Sequence, residues 1–175
     1  CRLGIIQWTV KTRTDRETGP SGSGAFTARW VMMNSAGEGL SIMYRVSKRI
    51  DFCYGHRLID YEGKCRWLHG HNGRVVIELV GEALDGKGMV TDFSQIKRLM
   101  KSWIDENLDH RMILRRDDPA LRYIRAAGEP HYAMDENPTA EAIAKLIYQK
   151  GRELGLPVRR VVLWETPDSS AQYGE

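Results

Sequence analysis

A chain of 175 residues with 42 % apolar and 28 % charged side chains is long enough for one well-buried core and has the composition of an ordinary globular domain. Its 26 Lys and Arg nearly cancel its 23 Asp and Glu, leaving a net charge of +3, without the clustered positive excess that nucleic-acid binding requires. No apolar run has the length of a membrane span. Three cysteines without regular spacing speak against a disulfide scaffold and for a reducing, cytoplasmic setting. A chemical site is therefore expected to carry the function, and the five His residues are the place to search.

The chain opens on Cys1, which reads as a fragment, a processed product or an over-extended reading frame. Residues 1–42 are rich in Gly, Ser, Thr and Arg and hold too little apolar surface to offset their ordering entropy. They are expected to be a disordered leader or mis-called upstream sequence, with one domain over 43–175.

Regular patterning starts at Met43. Tyr44 to Leu58 alternates apolar and polar positions and predicts a strand with a bulge near Lys48-Arg49. Residues 59–68 read as a long connection, and Arg74 to Leu84 as a second strand that runs into the turn Asp85-Gly86-Lys87-Gly88. Phe93, Ile96, Leu99, Met100, Trp103 and Ile104 recur at helical spacing, with Asp92 or Ser94 as cap. Residues 109–136 look irregular, broken by Asp117-Asp118-Pro119 and Gly128-Glu129-Pro130, with a short helical turn at Leu121–Ile124. Asn137 as cap and Pro138 at the first helical position open a second helix that ends at Gly155 and Pro157. Val158 to Trp164 predicts a third strand and Ala171 to Gly174 a short fourth. Hairpin-like pairing at both ends with helices between predicts an α+β architecture, an antiparallel sheet with its helices on one face.

The densest chemistry lies in Cys65-Arg66-Trp67-Leu68-His69-Gly70-His71. His69 and His71 are two apart, so on an extended segment they point to the same side. His56, at the end of the first strand, can be brought alongside by pairing. Three imidazoles with an open fourth position is a catalytic zinc arrangement, although imidazole also takes iron, nickel or copper. Cys65 reads as a fourth ligand, a nucleophile or base, or an inert buried thiol, the last being the commonest role of such a residue taken alone; Cys53 is assigned to the core. Asp109-His110 is either an acid–base pair or an ordinary helix end. Glu165 closes an apolar strand, where a carboxylate is either solvated or positioned to bind an amidine-like group through two hydrogen bonds. Thr139 and Glu141 suit the first turn of a helix, and His131 reads as a loop residue.

Taken in order, the motifs His56-Arg57-Leu58, Cys65-X-X-X-His69-Gly70-His71-Asn72, Gly88-Met89-Val90-X-Asp92-Phe93, Leu108-Asp109-His110, Pro138-Thr139-X-Glu141 and Glu165-Thr166-Pro167 resemble the 6-pyruvoyltetrahydropterin synthase / 6-carboxytetrahydropterin synthase family. The resemblance implies a tunnelling fold: a four-stranded antiparallel sheet with two helices, joined with other copies into an oligomeric barrel, usually a hexamer, with sites between subunits. It implies zinc on His56, His69 and His71, Cys65 as proton acceptor, Asp109 and His110 as a relay, Glu165 as pterin anchor and relay member, and Thr139 as a pterin contact. The substrate implied is 7,8-dihydroneopterin triphosphate. It is converted either to 6-pyruvoyltetrahydropterin or, with carbon–carbon cleavage and release of acetaldehyde, to 6-carboxytetrahydropterin; the compact Cys65–His71 motif looks more like the second branch. A non-catalytic pterin- or purine-binding module that keeps the zinc, and a structural metal protein whose shell Cys65 closes, are the competing readings. Cys53-Tyr54-Gly55 departs from the small residues that often precede the first His, placing Tyr54 where it can alter the side chain accepted.

Overall fold

Long alternation of apolar and polar residues makes the two central strands, and everything else packs on them. A computed structural model describes residues 43–175 together with two short strands ahead of them. The chain divides into two units, Cys1–Leu40 and Ser41–Glu175. In the first, β1 (Met32–Met33) pairs antiparallel with β2 (Gly39–Leu40); the leader reading of residues 1–42 otherwise lies outside the described residues.

In the second unit, β3 (Tyr44–His56) and β4 (His69–Gly81) are thirteen-residue strands paired antiparallel without interruption from Tyr44 opposite Gly81 to His56 opposite His69. The bulge expected at Lys48-Arg49 is absent from this pair. Irregularities fall instead between β4 and β7 (Val158–Thr166), at Glu78/Leu79, and between β7 and β8 (Ser169–Gly174), at Trp164/Thr166. The sheet order is β6-β5-β3-β4-β7-β8. Its four antiparallel strands are those anticipated. Two short strands, β5 (Arg111–Arg115) and β6 (His131–Met134), extend it by parallel pairing beyond β3. Five and four residues among many charges are too few to show alternation, so this stretch looked irregular in sequence. His131 is thus the first residue of β6, not a loop residue.

Helix α1 (Phe93–Ile96) starts at Asp92, whose carboxylate accepts the Ser94 N–H at 2.7 Å, and continues through a π turn (Lys97–Lys101) into α2 (Ser102–Asn107). After the short α3 (Ala120–Ala126), α4 (Ala140–Glu153) is capped by Thr139, whose hydroxyl accepts the Ala142 N–H. The expected cap, Asn137, has another task. Its amide donates to the Ile59 carbonyl at 2.8 Å and accepts the Ile59 N–H at 3.2 Å, pinning the 57–68 connection to the start of α4.

One face of the sheet supplies Ile50, Phe52, Val75, Ile77, Leu79, Val161 and Leu163 to the core. Ile96, Met100, Ile104, Ile143 and Ile147 cover them from the helices. At about 25 cal/mol per Å² of apolar surface removed from water, this single face is the main source of stability. No helix among the described residues is long and apolar enough to cross a membrane.

Candidate metal centre

The pairing of β3 with β4 sets the site. His56 closes β3 and lies directly opposite His69, the first residue of β4; His71, two further on, lies opposite Tyr54 on the same face. Ring centroids are 4.4 Å apart for His56–His69, 5.0 Å for His56–His71 and 5.1 Å for His69–His71. A ring nitrogen from each lies within 4.8 Å of the other two. Gly70 sits between the last two ligands, where a Cβ would lie 3.0 Å from the Tyr54 carbonyl oxygen. A side chain there would push the strands apart.

Hydrogen bonds fix how these imidazoles present themselves. Nδ1 of His56 meets the Pro138 carbonyl at 2.7 Å, and Nδ1 of His69 meets the Trp67 carbonyl at 2.7 Å. A carbonyl only accepts, so both Nδ1 atoms carry the proton and both Nε2 atoms present lone pairs. Those two Nε2 atoms are 3.0 Å apart. Facing lone pairs repel unless a proton or cation lies between them. Burial pushes the His56 pKa down, the neighbouring His69 and His71 add to this, and together they outweigh the Pro138 carbonyl and the Glu165 carboxylate, which act the other way. His56 therefore stays in the neutral, metal-binding form. Three convergent imidazoles, those of His56 and His69 held by backbone carbonyls through their outer ring nitrogens, fit a zinc-type ion with ligands at about 2.0–2.1 Å.

Glu165, near the end of β7, is the carboxylate beside this group. Its Oε1 accepts the Tyr54 hydroxyl at 2.9 Å and stands 3.9 Å from His56 Nε2. Tyr54 is 3 % exposed, stacked on Phe52 and edge-on to His56. Gly73 leaves the space its ring fills, since a Cβ there would lie 2.8 Å from Tyr54 Cε1. Burial, then the Glu165 charge, then the hydrogen bond to it drive the phenol pKa far up, so Tyr54 is a donor at every working pH. Sequence placed Tyr54 near the pocket; its bond to Glu165, 111 positions away, required the fold.

The remaining predicted residues are dispersed. Cys65 lies in a 3₁₀ turn (Lys64–Arg66), half-buried, with its carbonyl accepting the Leu58 N–H. Its sulfur is not one of the convergent donors, so the described residues of one chain do not build a closed Cys/His shell. Adjacent residues usually point apart, yet Asp109 Oδ2 and His110 Nδ1 are 2.9 Å apart, because His110 takes a left-handed φ of 53° that turns its ring back. Burial of Asp109 raises its pKa, but the Cys53 N–H and His110 outweigh it, and the net shift is downward. Cys53 is exposed, a correction to its assignment to the core: along β3 it alternates with the buried Phe52 and Tyr54 and faces the other way. An open cleft of about 680 Å³ is lined by residues including Gly55, His69, Gly70, His71, His110 and Met112. Sequence reading also took Asp118 only as a breaker. It is buried, holds both arms of the Arg57 guanidinium and accepts the Ala120 N–H, which braces the segment just after His56.

A sheet with its first helix and α4 on one face and three convergent imidazoles at the end of its central hairpin defines a tunnelling-fold protein with a candidate metal centre. The family model for 6-pyruvoyl tetrahydropterin synthase matches residues 45–175. The 6-carboxy-5,6,7,8-tetrahydropterin synthase of Rickettsia conorii is 44 % identical over 104 residues, covering 58 % of this chain and 75 % of that protein. The enzyme of the same name from Haemophilus influenzae is 30 % identical over 141 residues, covering 76 % and 100 %. Among solved structures, an uncharacterized protein from Wolinella succinogenes superposes with a TM-score of 0.64 at 31 % identity, over 77 % of this chain and 99 % of that one. The 6-pyruvoyl tetrahydropterin synthase of Caenorhabditis elegans, at 23 % identity and a TM-score of 0.58 over 77 % and 96 %, shares the fold. The chain belongs to the 6-pyruvoyl tetrahydropterin synthase family.

Proposed function

We propose that the protein is a zinc-dependent 6-carboxy-5,6,7,8-tetrahydropterin synthase. In this reading 7,8-dihydroneopterin triphosphate and one water become 6-carboxy-5,6,7,8-tetrahydropterin, acetaldehyde and triphosphate, in a cytoplasmic homo-oligomer of hexameric type. The observation that carries it is the group His56, His69 and His71, with two Nε2 lone pairs facing each other at 3.0 Å and Glu165 at their edge. Relatives at 30–44 % identity that bear this name support the choice of branch.

His56, His69 and His71 would hold the zinc. Bound there, it supplies Lewis acidity to the hydroxyls of the substrate side chain and favours their deprotonation. Glu165 anchors the guanidine-like edge of the pterin and shares in proton transfer, and Tyr54 keeps one of its oxygens oriented. Thr139 contacts the pterin from the start of α4. Cys65, acting as thiolate, takes a proton from the substrate side chain. Triphosphate departs with the electron pair of its C–O bond. His110, oriented by Asp109, passes protons on. Cys65 and His110 reach a common substrate when neighbouring copies complete the site.

The test is metal-replete protein given 7,8-dihydroneopterin triphosphate. Equal amounts of triphosphate and acetaldehyde, with a product of the carboxy mass, are expected. Triphosphate with a pyruvoyl product moves the protein to the other branch, and no triphosphate refutes the catalytic reading.

A further inference from the structure

The sheet face turned away from the core carries a second set of donors. The Sγ of Cys53, a carboxylate oxygen of Asp109 and a ring nitrogen of His110 all lie within 4.8 Å of one another. Their backbones are locked together: the Cys53 N–H donates to Asp109 Oδ1 at 2.8 Å, and the His110 N–H donates to the Cys53 carbonyl at 2.6 Å. The thiol is steered by Asn72, whose Oδ1 accepts from it at 3.1 Å.

We propose that Cys53, Asp109 and His110 form a second metal site, separate from the three imidazoles, for a thiophilic divalent cation such as zinc. One sulfur, one imidazole and one carboxylate are a borderline-soft set that suits zinc or cobalt and disfavours magnesium or calcium. His110 Nδ1 and Asp109 Oδ2 stand 2.9 Å apart, at hydrogen-bond distance; a cation bound there takes the place of the hydrogen between them, and the thiol gives up its proton, so binding releases protons. The His110 side chain is 79 % exposed and Cys53 is exposed. Drawing the donors to coordination distances of about 2.0–2.3 Å therefore takes side-chain rotation and leaves the strands in place. One consequence bears on the proposed reaction: His110 held by a cation no longer carries protons, so zinc beyond the first equivalent inhibits turnover.

Cobalt separates the two sites, because the three-imidazole group contains no sulfur. Metal-free full-length protein is titrated with Co²⁺ and followed in the near-ultraviolet, where thiolate-to-cobalt charge transfer absorbs. The band is expected to survive Cys1→Ser, Cys65→Ser and His69→Ala, to vanish in Cys53→Ser, and to need at least tenfold more cobalt in His110→Asn. In the unmodified protein, saturating zinc is expected to slow alkylation of Cys53 by iodoacetamide at least tenfold. The proposal is overturned by the absence of a thiolate band at every cobalt ratio, by a band indifferent to Cys53→Ser, or by unprotected Cys53. A band lost with His69→Ala removes its independence from the first site. None of these readouts depends on lyase activity, so the two functional readings stand or fall separately.

Discussion

Tyr54→Phe isolates one hydrogen bond at the proposed site. The phenol donates to Glu165 Oε1 at 2.9 Å, and the ring rests on Phe52 in the space left by Gly73. Phe keeps the ring and its packing, so the fold and the three imidazoles are undisturbed. A hydrogen bond to a charged acceptor contributes about 1.5–3 kcal/mol. The Glu165 side chain is 22 % exposed, so water replaces part of what is lost and about 1–2 kcal/mol remains. That corresponds to roughly 5- to 30-fold in kcat/KM. Glu165 is proposed both to grip the pterin and to share in proton transfer, so the loss falls on KM and kcat together and is read in kcat/KM. The assay is steady-state triphosphate release, with zinc content and Tm measured alongside. A kcat/KM within twofold of the parent, at equal zinc content, refutes the assignment of Tyr54 as the residue that orients Glu165.

Other expectations follow from the same geometry. His69→Ala removes one of the two facing Nε2 atoms; bound zinc measured by mass spectrometry should fall at least tenfold, and chelation of the parent should abolish turnover and lower Tm. Asp118→Asn breaks a two-armed ion pair whose carboxylate is fully buried and whose Arg57 side chain is 22 % exposed, so about 2 kcal/mol of stability should be lost, or about 6–10 °C in Tm. Burial raises the Asp118 pKa, but Arg57 and the Ala120 N–H outweigh it and hold it below the ordinary carboxylate range. Its stabilisation is therefore complete above about pH 4 and lost as pH falls through the lowered value, and denaturant melts of parent and variant should converge in acid. Gly70→Ala forces a Cβ to within 3.0 Å of the Tyr54 carbonyl oxygen. A loss of about 1–3 kcal/mol is expected, together with weaker zinc binding; an unaltered zinc affinity would show that strand spacing does not set the imidazole geometry.

Several things were legible in the chain itself because they depend on local order. Period-2 alternation gave β3, β4 and β7, the stripe Ile96–Met100–Ile104 gave the first helix, and His-X-His on an extended segment implied two imidazoles on one side. The same dependence on local order made residues 109–136 look irregular, although they hold β5, α3 and β6. Strands of four and five residues are made by their neighbours, and β5 and β6 exist through parallel pairing with β3 and with each other.

Residue chemistry by itself determined which groups could act: three imidazoles, a Cys65 flanked by cations, an Asp-His pair and a strand-end carboxylate. Only the tertiary structure decided who meets whom. The register of β3 on β4 joins His56 to His69 across thirteen positions, and the approach of β7 brings Glu165 to Tyr54. A left-handed residue folds His110 back onto Asp109. Cys53, assigned to the core as a residue of the first strand, is turned outward to that same pair. The physical reason is that side-chain identity is a local property, whereas a donor set is a matter of distances of a few ångströms, set by pairing register and packing between segments far apart along the chain.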